Sequence, residues 1–477
     1  MRARFLPPAF LVVTLIWVYG STLAPGLTWA HGGADGGDLI AATATGGVPH
    51  PTGYPLYLLL AGFFQRLPVG PLAFRTNLLS ALAMTGAALL VYFLVERYFS
   101  SAARVTAACA GLAAAFSFAL APLVWSQAVI TEVYALHLLL VAAILFLCSR
   151  QVDGESETKL NGLTGLACGL AIGNHLTSIF LLPLVLFRER DWASLLRRIA
   201  FLLLGLCSYL ILPLRAAMRA PVNWGHATTW DGFLWLVSGR LYQDDVLALT
   251  LPGFLERVQT FAALLLEQFG IAGLVLAFLG AVIFSARSRF HANLIWSVTG
   301  FSVFSLLYAT RDWQVYLLPA FLCFAIWVGV ALGNLLSKWP AGRFWMAGLF
   351  AVYLIVFAAQ AWPRVDLSRD TQAEDLGRSV LAQAPKDAIL FAKGDEAVFT
   401  LWYFHHALRE RPDIVVIAVD LLHFDWYQQN LRETYPALVV PGPLPFVETV
   451  RQANPSRPAC HVRHPLESPL ECSDGTR

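Results

Sequence analysis

Ten long apolar stretches, each near the length that crosses a hydrocarbon core, constrain this chain more than any other feature. A helix needs about 20 apolar residues to span a bilayer. Such runs fall near 5–24, 72–96, 105–122, 128–149, 161–187, 198–214, 259–284, 292–309, 316–336 and 344–362. The run at 161–187 is interrupted at Gly173-Asn174-His175 and divides into two short helices, which brings the expectation to about eleven transmembrane helices. Composition agrees, since 57% of the residues are hydrophobic and 13% charged, against about 25% charged in a soluble domain. The expected fold is an α-helical polytopic membrane protein. Arg2 and Arg4 before the first run resemble the start of a signal peptide, but the later runs favour an uncleaved anchor.

Short loops rich in Lys and Arg mark the cytoplasmic side. Arg2/Arg4, Arg97/Arg104, Arg150/Lys159, Arg188/Arg190/Arg197/Arg198, Arg287/Arg289 and Lys338/Arg343 share one side if eleven spans are counted. The N-terminus is then cytoplasmic. The 25–71 loop, the Trp125–Glu132 turn, Asn174-His175, the 215–257 loop, Arg311-Asp312 and the C-terminal tail face the other way. Net charge is +2, and with no basic block to neutralise phosphates no nucleic-acid partner is expected.

Residues 363–477 hold 16 of the 31 Asp and Glu, so the chain divides into a membrane domain, 1–362, and a soluble extracytoplasmic domain, 363–477. Ala373–Ala384 is amphipathic, Ala388–Ala392 a short apolar run, Ala397–Leu408 helical and Ile414–Val419 β-branched. That rhythm predicts a small α/β domain. Cys109, Cys148, Cys168, Cys207 and Cys323 lie in apolar runs and read as small buried hydrophobes. Cys460 and Cys472 lie in the polar tail, where an oxidising compartment would allow a disulfide.

The polar clusters on the outer side carry the candidate chemistry. Asp35 and Asp38 bracket Gly36-Gly37, which reads as a tight turn exposing both carboxylates. An acid at an apolar interface gains proton affinity, as a general base requires. His50-Pro-Thr-Gly-Tyr54-Pro is a rigid turn, whose His50 and Tyr54 serve either as struts or as the lining of an active site. Glu132 is an ionisable residue at membrane depth, a candidate to bind substrate unless it pairs with an arginine such as Arg215. Asn174 and His175 join two helices, and His175 reads equally as a core histidine. Arg215, with Asn223 and Trp224 beyond it, suits a phosphate because a guanidinium grips two oxygens; snorkelling at the interface is the plainer role. Arg311-Asp312 forms an internal ion pair or a second such site. No zinc-type spacing and no nucleophile elbow occurs, so no metal is expected.

Together these segments resemble one family. The first outer loop, Asp35-Gly-Gly-Asp38 followed by His50-Pro-Thr-Gly-Tyr-Pro-Leu-Tyr57, is similar to the Asp-Ser-Gly-Glu … His-Pro-Pro-Gly-Tyr-Pro-Leu-Tyr signature of a polytopic bacterial family. That family was long catalogued as a domain of unknown function, and its animal relative is an endoplasmic-reticulum protein O-mannosyltransferase of plexin-type domains. The likeness continues through Phe74-Arg-Thr-Asn-Leu78, Trp125–Tyr134, Gly173-Asn-His175, Leu212-Pro-Leu-Arg215, Pro221-Val-Asn-Trp-Gly225 and Leu317-Leu-Pro-Ala320. In the tail it covers Gly394-Asp-Glu396, Leu401-Trp-Tyr403, Arg411-Pro-Asp413 and Asp425-Trp-Tyr427. This chain departs from the signature at Gly36, Asp38 and Thr52.

The resemblance implies a GT-C-type glycosyltransferase that moves a hexose, with mannose the family's sugar, from a polyprenyl-phosphate carrier to a hydroxyl of a protein or glycan outside the cytoplasm. Asp35 then matches the first acid and the base, and Asp38 orients it or holds the acceptor. Arg215, then Arg311, would hold the phosphate, while His50, Tyr54, Glu132, Asn174, His175, Asn223, Trp224 and Asp312 would shape the pocket. The donor is a lipid-phosphate sugar and no cofactor is implied. A bacterial inner membrane is the expected location. The alternative reading is a transporter or flippase of lipid-linked sugars, which predicts internal repeats; none is visible.

Overall fold

The computed structural model describes residues 5–152, 157–187, 191–284, 289–442, 445–462 and 469–473. Arg2, Arg4, Arg188, Arg190 and Arg287 of the charge pattern lie outside them. Among the described residues six helices are long and apolar enough to cross a membrane: Leu72–Tyr98, Trp192–Ala216, Leu251–Ile283, Arg289–Leu307, Trp313–Lys338 and Arg343–Val365. Five more apolar helices, Leu6–Thr22, Pro55–Phe64, Arg104–Ala119, Tyr134–Arg150 and Leu176–Leu186, are shorter. Pro55–Phe64 arises within the segment read as an outer loop, started by Pro55 in the first turn. Its ten residues reach about 15 Å, half a hydrocarbon core, so it enters the bundle without crossing.

The bundle closes around Leu318–Lys338, nearly all of it buried. Small residues allow the approach: a Cβ on Gly329 would sit 2.7 Å from the Ala110 carbonyl, and one on Gly280 would sit 1.9 Å from that of Trp327. In lipid, where apolar contact alone gives helices no preference for one another, such backbone proximity supplies the packing. Leu251–Ile283 begins eight residues before the expected span and bends at Gly270, whose φ of 57° and ψ of 178° break the helix. Arg198, counted with the cytoplasmic loops, is instead fully buried, its guanidinium donating to Asn161 Oδ1 at 2.6 and 2.9 Å. Two cysteines correct the reading of five buried ones: Cys109 is half-buried and Cys207 exposed, the latter because its helix packs only one face inward and turns the other out.

The tail follows directly on the last long helix. Its sheet has the order β2-β1-β3-β4, with β1 Ile389–Ala392, β2 Val415–Ala418, β3 Ala459–Val462 and β4 Leu470–Ser473. The first three run parallel and β4 antiparallel. β1 and β2 are buried along their whole length, as parallel strands covered on both faces must be. Cys460 and Cys472 face each other across β3 and β4 and are joined by a disulfide. The helices Gln372–Gln383, Asp395–Trp402 and Asp425–Thr434 cover the sheet. This unit does not stand apart: Ile40, Leu212, Val222 and Trp224 of the membrane body share one apolar core with Phe399, Trp402 and Phe391 of the tail.

Candidate active site

The acid loop forms where His31 and Gly32 adopt left-handed backbone, φ 59° and 80°, and reverse the chain after Trp29. Asp35 ends that turn and precedes the helix Gly36–Thr45, yet its side chain caps no backbone N–H. Its carboxylate is therefore left for other work. The expected Gly36-Gly37 hinge is absent, since both glycines are helical. Their need is for closeness: a Cβ on Gly37 would lie 2.4 Å from the Phe399 carbonyl, and one on Gly36 would lie 3.2 Å from that of Thr131. Asp38 is correspondingly not exposed but fully buried.

Asp38 is held by three donors. The His50 backbone N–H donates to its Oδ2 at 2.8 Å and His50 Nδ1 lies 2.7 Å from the same oxygen, while Trp224 Nε1 donates to Oδ1 at 3.1 Å. The other face of the imidazole, Nε2, lies 3.5 Å from Asp35 Oδ2. His50 thus bridges a buried carboxylate to an accessible one, for the Asp35 side chain is 41% exposed. Its turn is set by the hydrogen bond from Gly53 N–H to the His50 carbonyl and by a parallel bridge from Val48 to Asn223.

Withdrawal from water raises the proton affinity of Asp35, the charge of His50 lowers it, and Asp395, Asp38 and Asp312 raise it again, for a pKa of about 6. For His50 burial works downward, but the Asp35 charge, the hydrogen bond to Asp38 and the charges of Asp38 and Glu132 push it up to about 9. At neutral pH the imidazolium of His50 stands beside an ionised Asp35.

Tyr54, itself left-handed at φ 41°, places its ring 5.1 Å from that of His50 and 6.5 Å from that of His175. His175 extends the cluster to Tyr134, His137 and Tyr316, and Tyr134 OH donates to Asp312 Oδ2 at 3.5 Å. Asn174 donates to the Val133 carbonyl at 3.2 Å, beside Glu132. Glu132 is buried and accepts from Val133 N–H; no ion pair joins it to Arg215 among the described residues. Asp35, Asp38, His50, Tyr54 and Trp224 therefore meet, with His175, Asp312, Asn174 and Glu132 along the adjoining wall.

Three candidates lie elsewhere. Asn223 donates to the Ala216 carbonyl at 3.1 Å and serves to orient Trp224. Arg215 donates to the Thr43 carbonyl at 3.4 Å, near the C-terminal end of the acid-bearing helix, and its Nη1 is shut from solvent with no hydrogen-bond partner among the described residues. Arg311 is exposed and forms no ion pair with Asp312, which accepts from Thr310 instead. Asp395, Phe399 and Tyr242 escaped sequence reasoning as site residues. Asp395 and Tyr242 lie within electrostatic reach of Asp38, and the Phe399 ring stacks 6.4 Å from His50. Among the described residues no three His, Cys, Asp or Glu side chains gather as metal ligands.

Residues 35–189 match the family described as the protein O-mannosyl-transferase TMEM260 N-terminal domain, and residues 373–452 match TMEM260-associated domain 2. The chain is 28% identical over 455 residues to the protein O-mannosyl-transferase TMEM260 of Mus musculus, covering 86% of itself and 62% of that protein. The likeness to TMEM260 runs through most of this chain. It is also 22% identical to the TMEM260 of Dictyostelium discoideum, over 91% of this chain and 59% of that one. It thus spans about three fifths of each TMEM260 relative.

Solved structures share the fold. ArnT from Cupriavidus metallidurans, bound to undecaprenyl phosphate, superposes with a TM-score of 0.60 at 14% identity, covering 95% of this chain and 92% of that one. The apo oligosaccharyltransferase of Archaeoglobus fulgidus gives 0.54 at 11% identity, over 90% and 68%. The chain thus has the fold of these proteins, and six helices among its described residues are long and apolar enough to cross a membrane. Both matched domains border the site, the first supplying Asp35, Asp38 and His50 and the second Phe399.

Proposed function

We propose that this chain is a glycosyltransferase that moves a hexose, mannose by the names of its relatives, from a polyprenyl-phosphate carrier to a Ser or Thr hydroxyl of a protein on the extracytoplasmic side. The observation that carries this reading is the bridge of His50 between buried Asp38 and accessible Asp35. It supports a division of labour between the two acids. Asp38 is saturated by donors and orients the imidazole. Asp35, with a pKa of about 6, is ionised at neutral pH and basic enough to take a proton.

In the reaction, Asp35 removes the acceptor hydroxyl proton as that oxygen attacks the anomeric carbon. The bond from that carbon to the carrier's phosphate oxygen breaks, and the phosphate departs with the electron pair, inverting the sugar. A phosphate leaves already charged, so no acid is needed to protonate it, and a guanidinium stabilises it. Arg215 is proposed for that task from the far end of the acid-bearing helix, where its guanidinium meets the Thr43 carbonyl. ArnT bound to undecaprenyl phosphate supports a carrier of this class. The disulfide of the tail supports an oxidising, extracytoplasmic compartment, and the sequence favours a bacterial inner membrane.

The test is release of lipid phosphate from a labelled polyprenyl-phosphate mannose by the detergent-solubilised protein, with and without a Ser/Thr peptide. Asp35→Asn abolishes acceptor-dependent release while the variant elutes and melts like the parent. A folded, fully active Asp35→Asn protein overturns the assignment. A transporter, lacking chemistry, releases nothing in either form.

A further inference from the structure

A cleft of about 800 Å³ opens where the acid loop, the end of the last long helix and the start of the tail meet. Trp29, Asp366, Ser368, Arg369, Asp370 and Glu396 line it. We propose that it holds an extended acceptor polypeptide, preferring one with basic residues flanking the modified Ser or Thr. This rests on the transferase reading and adds where and how the acceptor binds.

Three observations carry it. The first is continuity with the acids. Ala30, which also lines the cleft, begins the turn that Asp35 ends, so the two are no more than about 17 Å apart. An extended chain rises about 3.3 Å per residue, so a segment in the cleft presents a hydroxyl to Asp35 within about five residues. Glu396 in turn adjoins Asp395, which lies in the field of His50 and Asp38.

The second is charge. Of the charged residues lining the cleft, Asp366, Asp370 and Glu396 are acidic and Arg369 is basic. Such a lining repels the phosphate of a lipid-linked donor and attracts lysines and arginines, while a neutral glycan gains nothing from it. The third is rigidity. Asp370 accepts from Thr28 and from Gln372 N–H, Asp366 accepts from Ser368 N–H at 2.9 Å, and Trp29 Nε1 donates to Thr400 at 2.9 Å. The walls are thereby fixed before anything binds, which lowers the ordering cost of association.

The experiment uses the full chain in lipid nanodiscs, with a photo-crosslinking amino acid at Ser368 in an Asp35→Asn background, so that capture requires no turnover. A synthetic Ser/Thr peptide flanked by lysines is expected to cross-link and to be displaced by its unlabelled copy, and a glutamate-flanked peptide to cross-link at most one fifth as well. In the otherwise unaltered enzyme, Asp366→Lys raises the KM of the lysine peptide about fivefold, the scale of a charge reversal at a solvated site, and leaves the donor KM unchanged. Absence of cross-linking, equal capture of both peptides, or displacement by a neutral mannose oligosaccharide but not by the peptide overturns the proposal. Cross-linking without any sugar transfer by the parent enzyme sinks the transferase reading and leaves the cleft standing. Transfer to peptide without cross-linking does the reverse.

Discussion

Replacing His50 by Gln tests the electrostatics of the site most directly. The substitution keeps an amide donor for Asp38 and deletes the cation 3.5 Å from Asp35. At that separation two unit charges interact by about 1 kcal/mol in a water-like medium and about 5 kcal/mol at the effective dielectric of a protein surface. Asp35 is 41% exposed, so the lower figure governs, and it corresponds to about one pH unit. The sign follows from charge. A nearby cation favours the carboxylate, so removing it raises the pKa of Asp35 from about 6 to about 7. In the parent, kcat/KM rises with pH through about 6 as the base ionises and falls through about 9 as His50 loses its proton. The two limbs belong to the coupled pair of Asp35 and His50. In His50→Gln the acid limb moves up by about one unit and the alkaline limb disappears. The assay is kcat/KM for lipid-phosphate release between about pH 5 and about pH 10. An acid limb that stays at about 6 or moves down refutes the reasoning.

Other perturbations isolate single contacts. Trp224→Phe keeps the ring and removes the donor to Asp38 Oδ1; losing a buried hydrogen bond to a charge costs about 1.5–3 kcal/mol, expected as a drop in kcat of about tenfold or more with the donor KM unchanged. Gly37→Ala drives a methyl against the Phe399 carbonyl and destabilises the tail's seat by about 1–3 kcal/mol, measurable as faster proteolysis between the last long helix and β1. Arg215→Ala raises the donor KM about tenfold and spares the acceptor KM, the opposite pattern to Asp366→Lys.

Apolar run length made the bundle legible, because nothing else in a chain forces 20 consecutive residues to be apolar. The polar clusters between apolar runs were legible too, since Asp35, His50, Tyr54 and Trp224 are polar or aromatic where lipid would not place them, and they do converge. Gly36-Gly37 was misread for a local reason. Beside acids, two glycines suggest a turn, whereas the true constraint is the Phe399 backbone, brought in from the far end of the chain. The roles of Asp395 and Phe399 were hidden in the same way, because no periodicity reports a contact between the first outer loop and the tail. Arg311-Asp312 looked like a pair from adjacency alone, but neighbouring side chains diverge, and Asp312 turns toward Thr310 and Tyr134.

The shared core of the acid-bearing helix and the tail has a consequence for the order of synthesis. The floor of the candidate site, Asp35 to His50, is synthesised well before its wall, Asp395 to Trp402. Until that wall arrives, Ile40 and Trp224 lack the apolar partners they have in the finished protein, and Gly37 faces no carbonyl. A nascent chain therefore carries its acids without the surroundings that tune them. The acids of the candidate site are thus in place before the wall that sets their environment.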